Sequence, residues 1–108
     1  MLILFDHGTP APLASFLTEH TVRKAKGLGW DTLTNGELLK AEEEAGFELL
    51  LTTDKNIRYQ QNLAGRKISI LVLTNPRWPV VRRHVQRVVS AVNAAKAGTY
   101  TEVEIPER

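Results

Sequence analysis

A chain of 108 residues with 43% hydrophobic side chains has the size of one domain and enough apolar material for one core without covalent staples. It contains no cysteine, which excludes disulfides, thiolate metal sites and a cysteine nucleophile. The net charge of +2 hides an asymmetry: residues 1–53 carry 4 Lys/Arg against 8 Asp/Glu, and residues 54–108 carry 10 against 4. An acidic site beside a basic surface would give such a split, and so would a solvated helix face.

The first element is Leu2 to Phe5, a continuous apolar run of the kind that forms a strand buried on both faces of a parallel sheet. It ends at Asp6, so Met1 to Asp6 reads as a strand and not as a signal peptide. No apolar run approaches the roughly 18 residues of a membrane span, and a cytoplasmic protein is expected. His7-Gly8-Thr9-Pro10 makes a turn. Thr9 is placed to cap a helix opening at Pro10, on which Leu13, Phe16 and Leu17 share a face. His20 to Ala25 is a weaker strand anchored by Val22. Gly27 to Asp31 is a loop, with Trp30 closing over the core.

Thr34-Asn35-Gly36-Glu37 has the spacing of a capping box, a hydroxyl at the cap and a carboxylate three residues later. The helix that follows runs through Leu38, Leu39 and Ala41 to a stop at Gly46. Phe47 to Leu51 is a second buried strand, ending in Thr52-Thr53-Asp54. Lys55 to Asn62 reads as a short helix broken at Gly65. Ile68 to Leu73 is a third buried strand, ending in Thr74-Asn75-Pro76. Pro79 opens the longest helix, with Val80, Val81, Val85, Val88, Val89 and Val92 as its apolar face. Tyr100 to Ile105 alternates as an edge strand does, and Pro106 stops it.

Strands alternating with helices predict a central, mostly parallel sheet of four to five strands with helices on both faces, a three-layer α/β/α domain over residues 1–108. Right-handed crossovers place the C-terminal ends of the strands on one rim, and ligands in such sheets bind at that rim where the strand order reverses. Asp6, Asp54 and Thr74-Asn75 each follow a buried strand, so they are expected to converge. Neighbouring carboxylates repel unless a cation sits between them. Oxygen donors of this kind suit Mg²⁺ or Mn²⁺, which orient a water and neutralise charge growing on a phosphoryl group. The competing reading is that each Asp is a turn residue.

The run Leu4-Phe5-Asp6-His7-Gly8-Thr9-Pro10, a helix carrying Glu37-Leu38-Leu39, and Leu50-Leu51-Thr52-Thr53-Asp54-Lys55-Asn56 together resemble the compact PIN-like domains. These belong to the PIN nuclease superfamily and often serve as toxins of bacterial toxin–antitoxin pairs. The resemblance covers nearly the whole chain in element order, through short motifs. It implies a PIN-like fold and a metal-dependent ribonuclease in which Asp6 and Asp54 hold Mg²⁺ or Mn²⁺. It also implies single-stranded RNA as substrate and a small antitoxin protein as partner, while the sequence leaves the oligomeric state open, a homodimer among the alternatives.

Two departures bear on that expectation. The family's middle acid commonly sits where this chain has Asn35-Gly36, which leaves Glu37 to substitute as catalytic and metal-binding acid or simply to cap its helix. The second acid of the family's Thr-x-Asp-x-Asp-type turn falls on Asn56, a ligand without charge.

Lys55, Arg58, Tyr59, Gln60 and Gln61 surround the acids with donors and a stacking ring suited to single-stranded nucleic acid. Arg82, Arg83 and Arg87 give the last helix a basic flank for phosphates. Solubility or an acidic protein partner explains that flank as well. Against the nuclease stands a non-catalytic binding or regulatory module with a degraded site. A phosphoacceptor receiver-like domain is disfavoured, because Asp6 lacks an acidic neighbour and Tyr100 to Pro106 lacks a lysine.

Overall fold

The computed structural model describes residues 1–57, 63 and 65–107. Among them, five strands form one sheet: β1 (Leu2–Phe5), β2 (Thr21–Lys24), β3 (Leu49–Thr52), β4 (Ser69–Leu73) and β5 (Tyr100–Val103). The order is β2-β1-β3-β4-β5, and every neighbouring pair is parallel. Among the described residues the helices include α1 (Asn35–Glu44), α2 (Trp78–Val81) and α3 (Val85–Ala94), with short 3-10 segments at Ala11–Phe16, Lys26–Leu28 and Arg82–His84. No helix among the described residues is long and apolar enough to cross a membrane.

Strand alternation divides the core in two. Odd positions (Ile3, Phe5, Leu49, Leu51, Leu71, Leu73, Val103) pack with Leu13, Leu17 and with Val81, Val88 and Val92 of α2 and α3. Even positions (Leu4, Leu50, Ile70, Val72) pack with Leu38 and Leu39 of α1, Phe47 and Ile57. With helices on both sides, the three-layer α/β architecture expected of the alternating pattern is present, and the sheet is parallel throughout.

Several local expectations are corrected. The first helix is a 3-10 segment of six residues, Ala11–Phe16, with Pro10 at its N-cap and Pro12 in its first turn, and it has no side-chain cap. The Thr9 hydroxyl instead donates to the Leu51 carbonyl at 2.7 Å, tying the turn after β1 to β3. The third strand begins two residues late, at Leu49. Gly46 takes a φ of 85°, and the Phe47 amide closes on the Glu42 carbonyl at 3.0 Å. That frees the Phe47 ring to meet Trp30 edge-on, with ring centroids 5.9 Å apart. The long helix from Pro79 is interrupted by the 3-10 turn at Arg82–His84. Most of the expected Lys55–Asn62 helix lies outside the described residues.

The crossovers also depart from the expected uniform hand. The β1-to-β2 connection and the β4-to-β5 connection both cross on the face covered by α3, yet they move in opposite directions along the sheet. Two such connections cannot share a hand. The β2-to-β3 connection runs opposite to β1-to-β2 on the other face, so it matches β1-to-β2. The β4-to-β5 crossover therefore has the opposite hand to the other two, so the connections cannot all be right-handed. The common rim survives, because it requires only that the strands be parallel.

Candidate functional site

Strand order reverses between β1 and β3: the chain leaves β1 toward β2 and returns past it to β3. Asp6 and Asp54 follow these two strands at that switch point. In the register Phe5 pairs with Leu51, and the Asp6 amide continues the ladder to the Leu51 carbonyl at 3.0 Å. Asp6, Thr52 and Asp54 occupy even positions, on the side of the sheet that α1 covers.

Thr52 joins the two acids. Its buried hydroxyl donates to Asp6 Oδ2 at 2.6 Å and accepts the Asp54 amide at 3.1 Å. Each carboxylate also accepts a backbone amide of its own turn. The His7 amide donates to Asp6 Oδ1 at 2.5 Å, and the Asn56 amide donates to Asp54 Oδ1 at 2.9 Å, the Asx turn typical of aspartate. The turn after β1 is close to Thr53: a Cβ on Gly8 would lie 2.5 Å from the Thr53 hydroxyl, so a side chain there would make Thr53 rotate away.

The helix that covers this side contributes Asn35, whose side-chain amide donates to Asp54 Oδ2 at 2.7 Å. Two residues on, Glu37 completes the capping box. Its Oε1 accepts the Thr34 amide at 2.9 Å, while its own amide donates to the Thr34 hydroxyl at 3.3 Å. The Thr34 backbone bond, reinforced by the Thr34 side chain, holds the Glu37 carboxyl below the ordinary range. Glu37 thereby fixes the start of the helix that aims Asn35 at Asp54.

The other sequence candidates are distributed around this pair. Lys55 and Asn56 are exposed beside Asp54, and His7 is exposed beside Asp6. Arg58 lies outside the described residues, as do Tyr59, Gln60 and Gln61. Arg82, Arg83 and Arg87 are exposed in the layer on the opposite face of the sheet from α1, and Arg87 Nη1 donates to the Glu104 carbonyl at 3.4 Å. Thr74 and Asn75 reach the same rim but serve the chain itself: the Thr74 hydroxyl accepts the Ile105 amide at 2.8 Å, and Asn75 Oδ1 accepts the Arg77 amide at 2.9 Å.

Sequence reasoning overlooked Glu42. It lies one turn beyond Leu38 and Leu39 on the buried stripe of α1 and is 0% exposed. Neither carboxylate oxygen has a hydrogen-bond partner among the described residues. Burial first, then the negative charges of Asp6 and Glu43, push its carboxyl up to about 9, against the pull of Arg66. At neutral pH it is therefore a neutral acid within electrostatic reach of Asp6. Its spacing on the apolar face of the helix was the available signal.

Among the described residues no group of three or more His, Cys, Asp or Glu is arranged to hold an ion. The acids at the switch point are Asp6 and Asp54, linked through Thr52 from the Asp6 carboxylate to the Asp54 backbone amide, and their carboxylates are hard oxygen donors. Mg²⁺ commonly takes only one or two carboxylates from a protein, keeping waters and substrate phosphates for the rest, so Asp6 and Asp54 fit such an ion. No family model, curated protein or solved structure matches the chain.

Proposed function

We propose that the chain is a metal-dependent ribonuclease of the PIN-like type acting on single-stranded RNA. The observation that supports this reading is the meeting of Asp6 and Asp54 across the β1–β3 switch point through the Thr52 hydroxyl. The two acids would hold Mg²⁺ or Mn²⁺, and the bound ion would orient a water and offset charge on the phosphodiester. Thr52 keeps Asp6 Oδ2 turned toward β3. Asn35 holds Asp54 Oδ2 from the other side, and the capping box holds Asn35. His7 and Lys55, exposed on either side of the acids, offer donors to the phosphate.

A second reading draws on the same hydrogen bonds. Asn35 and the Asn56 amide between them engage both oxygens of Asp54, as in a non-catalytic module whose acidic site has become structural. Cleavage of labelled single-stranded RNA with Mn²⁺ or Mg²⁺ separates the two. The nuclease reading expects metal-dependent cleavage that falls about 100-fold or more in Asp6→Asn, since outer partners of metal sites alone are worth roughly 10- to 100-fold. Equal cleavage by wild type and Asp6→Asn, or none by either, would leave the module.

A further inference from the structure

On the β2 side of Asp6 the rim opens into a cavity of about 270 Å³, with Phe5, Ala11 and Ala25 as its apolar walls and Asp6, His7, Thr9, Lys24 and Lys26 as its polar ones. That volume is about nine times the share of a water molecule in the liquid, about 30 Å³, and so has room for a partly hydrated phosphate. Neither lysine forms an ion pair among the described residues. Both flank Ala25, which is 1% exposed and whose amide donates to the Phe5 carbonyl at 2.9 Å. The backbone that carries the two cations is thus fixed to the strand that carries Asp6.

The rim as a whole is polarised. Lys24 and Lys26 stand at the β2 edge and Asp6 and Asp54 at the centre, while a second opening on the β5 side has Lys55, the neighbour of Asp54 in sequence, on one wall and Glu102, Glu104 and Glu107 around the rest. Strands lie about 4.8 Å apart, so the lysines stand one strand from Asp6 and the glutamates two or more strands beyond it. A polyanion crossing this rim meets the two lysines on the β2 side of the acids, and on the β5 side it meets Lys55 and then three carboxylates.

We propose that the cavity between β1 and β2 is a phosphate subsite, in which Lys24 and Lys26 receive the backbone phosphate next to the one presented to Asp6 and Asp54. A single-stranded nucleic acid then enters from the β2 side and stops short of β5. This rests on the nuclease reading for its direction but not for its chemistry, which is recognition of a nucleic-acid phosphate by paired lysines.

The test is binding of a short fluorescent single-stranded RNA in EDTA, which prevents metal-dependent cleavage, across a range of salt. Each lost phosphate contact on a single strand flattens the slope of log K against log salt by about 0.7. Lys24→Gln/Lys26→Gln should therefore flatten it by about 1.4 and weaken binding. The single variants should each flatten it by about half as much, which serves if the double variant folds poorly. Glu104→Gln/Glu107→Gln should leave the slope unchanged or steepen it. An unchanged slope in the lysine variants, or no RNA binding by the wild type, overturns the subsite. Cleavage assayed on the same proteins keeps the two ideas apart. Cleavage lost in Asp6→Asn with the lysine slope unchanged removes the subsite and leaves the nuclease. A flattened slope without cleavage by any protein leaves the subsite and removes the nuclease.

Discussion

The two faces of the sheet bury similar sets of aliphatic side chains but differ in what they do with polar groups. Under α3 the strands present Ile3, Phe5, Leu49, Leu51, Leu71 and Leu73, and the helical layer answers with Val81, Val88 and Val92. Under α1 the strand columns run from Leu4 and Leu50 into Asp6 and Thr52, and the helix answers Leu38 and Leu39 with Glu42. One face is packed for stability. The other carries the buried carboxyl, the bridging hydroxyl and the acids, the kind of locally unfavourable choices that mark functional sites.

The largest effect is expected on the apolar face. Leu71 is 0% exposed in the centre of the α3-side cluster, and Leu71→Ala should cost about 2–5 kcal/mol through lost transfer energy and a residual cavity. Urea unfolding measures it. A loss well under 1 kcal/mol would mean that this side is loosely packed and that the contrast between the faces is overstated.

On the α1 face a truncation of polarity should have the opposite sign. Glu42→Met replaces a buried acid without a hydrogen-bond partner among the described residues with an apolar chain of similar length, and should raise stability by about 1–3 kcal/mol. For a domain of this size that is a rise in Tm of about 4–8 °C per kcal/mol. The pH dependence follows from the raised acid. Between the unfolded value near 4.5 and the folded value of about 9, the folded state holds a proton that the unfolded state has released. Stability from this group therefore falls as pH rises through that window. Glu42→Gln, neutral at every pH, should match the wild type near pH 4 and gain on it steadily toward pH 9. Parallel stability curves for the two proteins from pH 4 to 9 would show that Glu42 titrates normally.

Much of the architecture was legible from hydrophobic patterning. Three continuous apolar runs gave the buried strands β1, β3 and β4, because strands covered on both faces need no alternation. The Thr34–Glu37 spacing gave the start of α1, since a capping box is a local device. Asp6 and Asp54 were placed correctly at one rim because parallel topology alone puts them there. Non-local or competing effects were missed. The Thr9 hydroxyl satisfies a carbonyl 42 residues away and not the helix start beside it. The hand of the β4-to-β5 crossover depends on which face α3 covers, which its valine spacing does not specify. At the site, Glu37 was the visible acid, but its carboxylate turns back to Thr34. The group that reaches Asp54 is Asn35, in the position from which the resemblance had subtracted an acid. Lys24 and Lys26 came into view only when β2 proved to be the neighbour of β1.

The smallest expected effect on stability belongs to Asn35, and it is the sharpest test of whether the polar face is organised around a cation. Asn35→Asp replaces the amide that donates to Asp54 Oδ2 with a second carboxylate. Without metal, the lost hydrogen bond and the new repulsion act against the fold, by about 1 kcal/mol for like charges near 4 Å in a water-like medium. Position 35 is also the first residue of α1, where a negative charge is favoured by about 0.3–1 kcal/mol through the helix dipole. The dipole and the repulsion nearly cancel, which leaves the lost hydrogen bond, so the metal-free protein should lose about 1 kcal/mol. With Mn²⁺ present the added carboxylate becomes a ligand, and every tenfold gain in affinity appears as about 1.4 kcal/mol of extra stability at saturating metal. Thermal unfolding with and without Mn²⁺ reads this directly: the metal-induced rise in Tm should be larger for Asn35→Asp than for wild type, and absent from Asp6→Asn. Equal metal-induced rises in all three proteins would mean that Mn²⁺ binds elsewhere, and the acids at the β1–β3 switch point would then be turn residues joined by Thr52 for structural reasons alone.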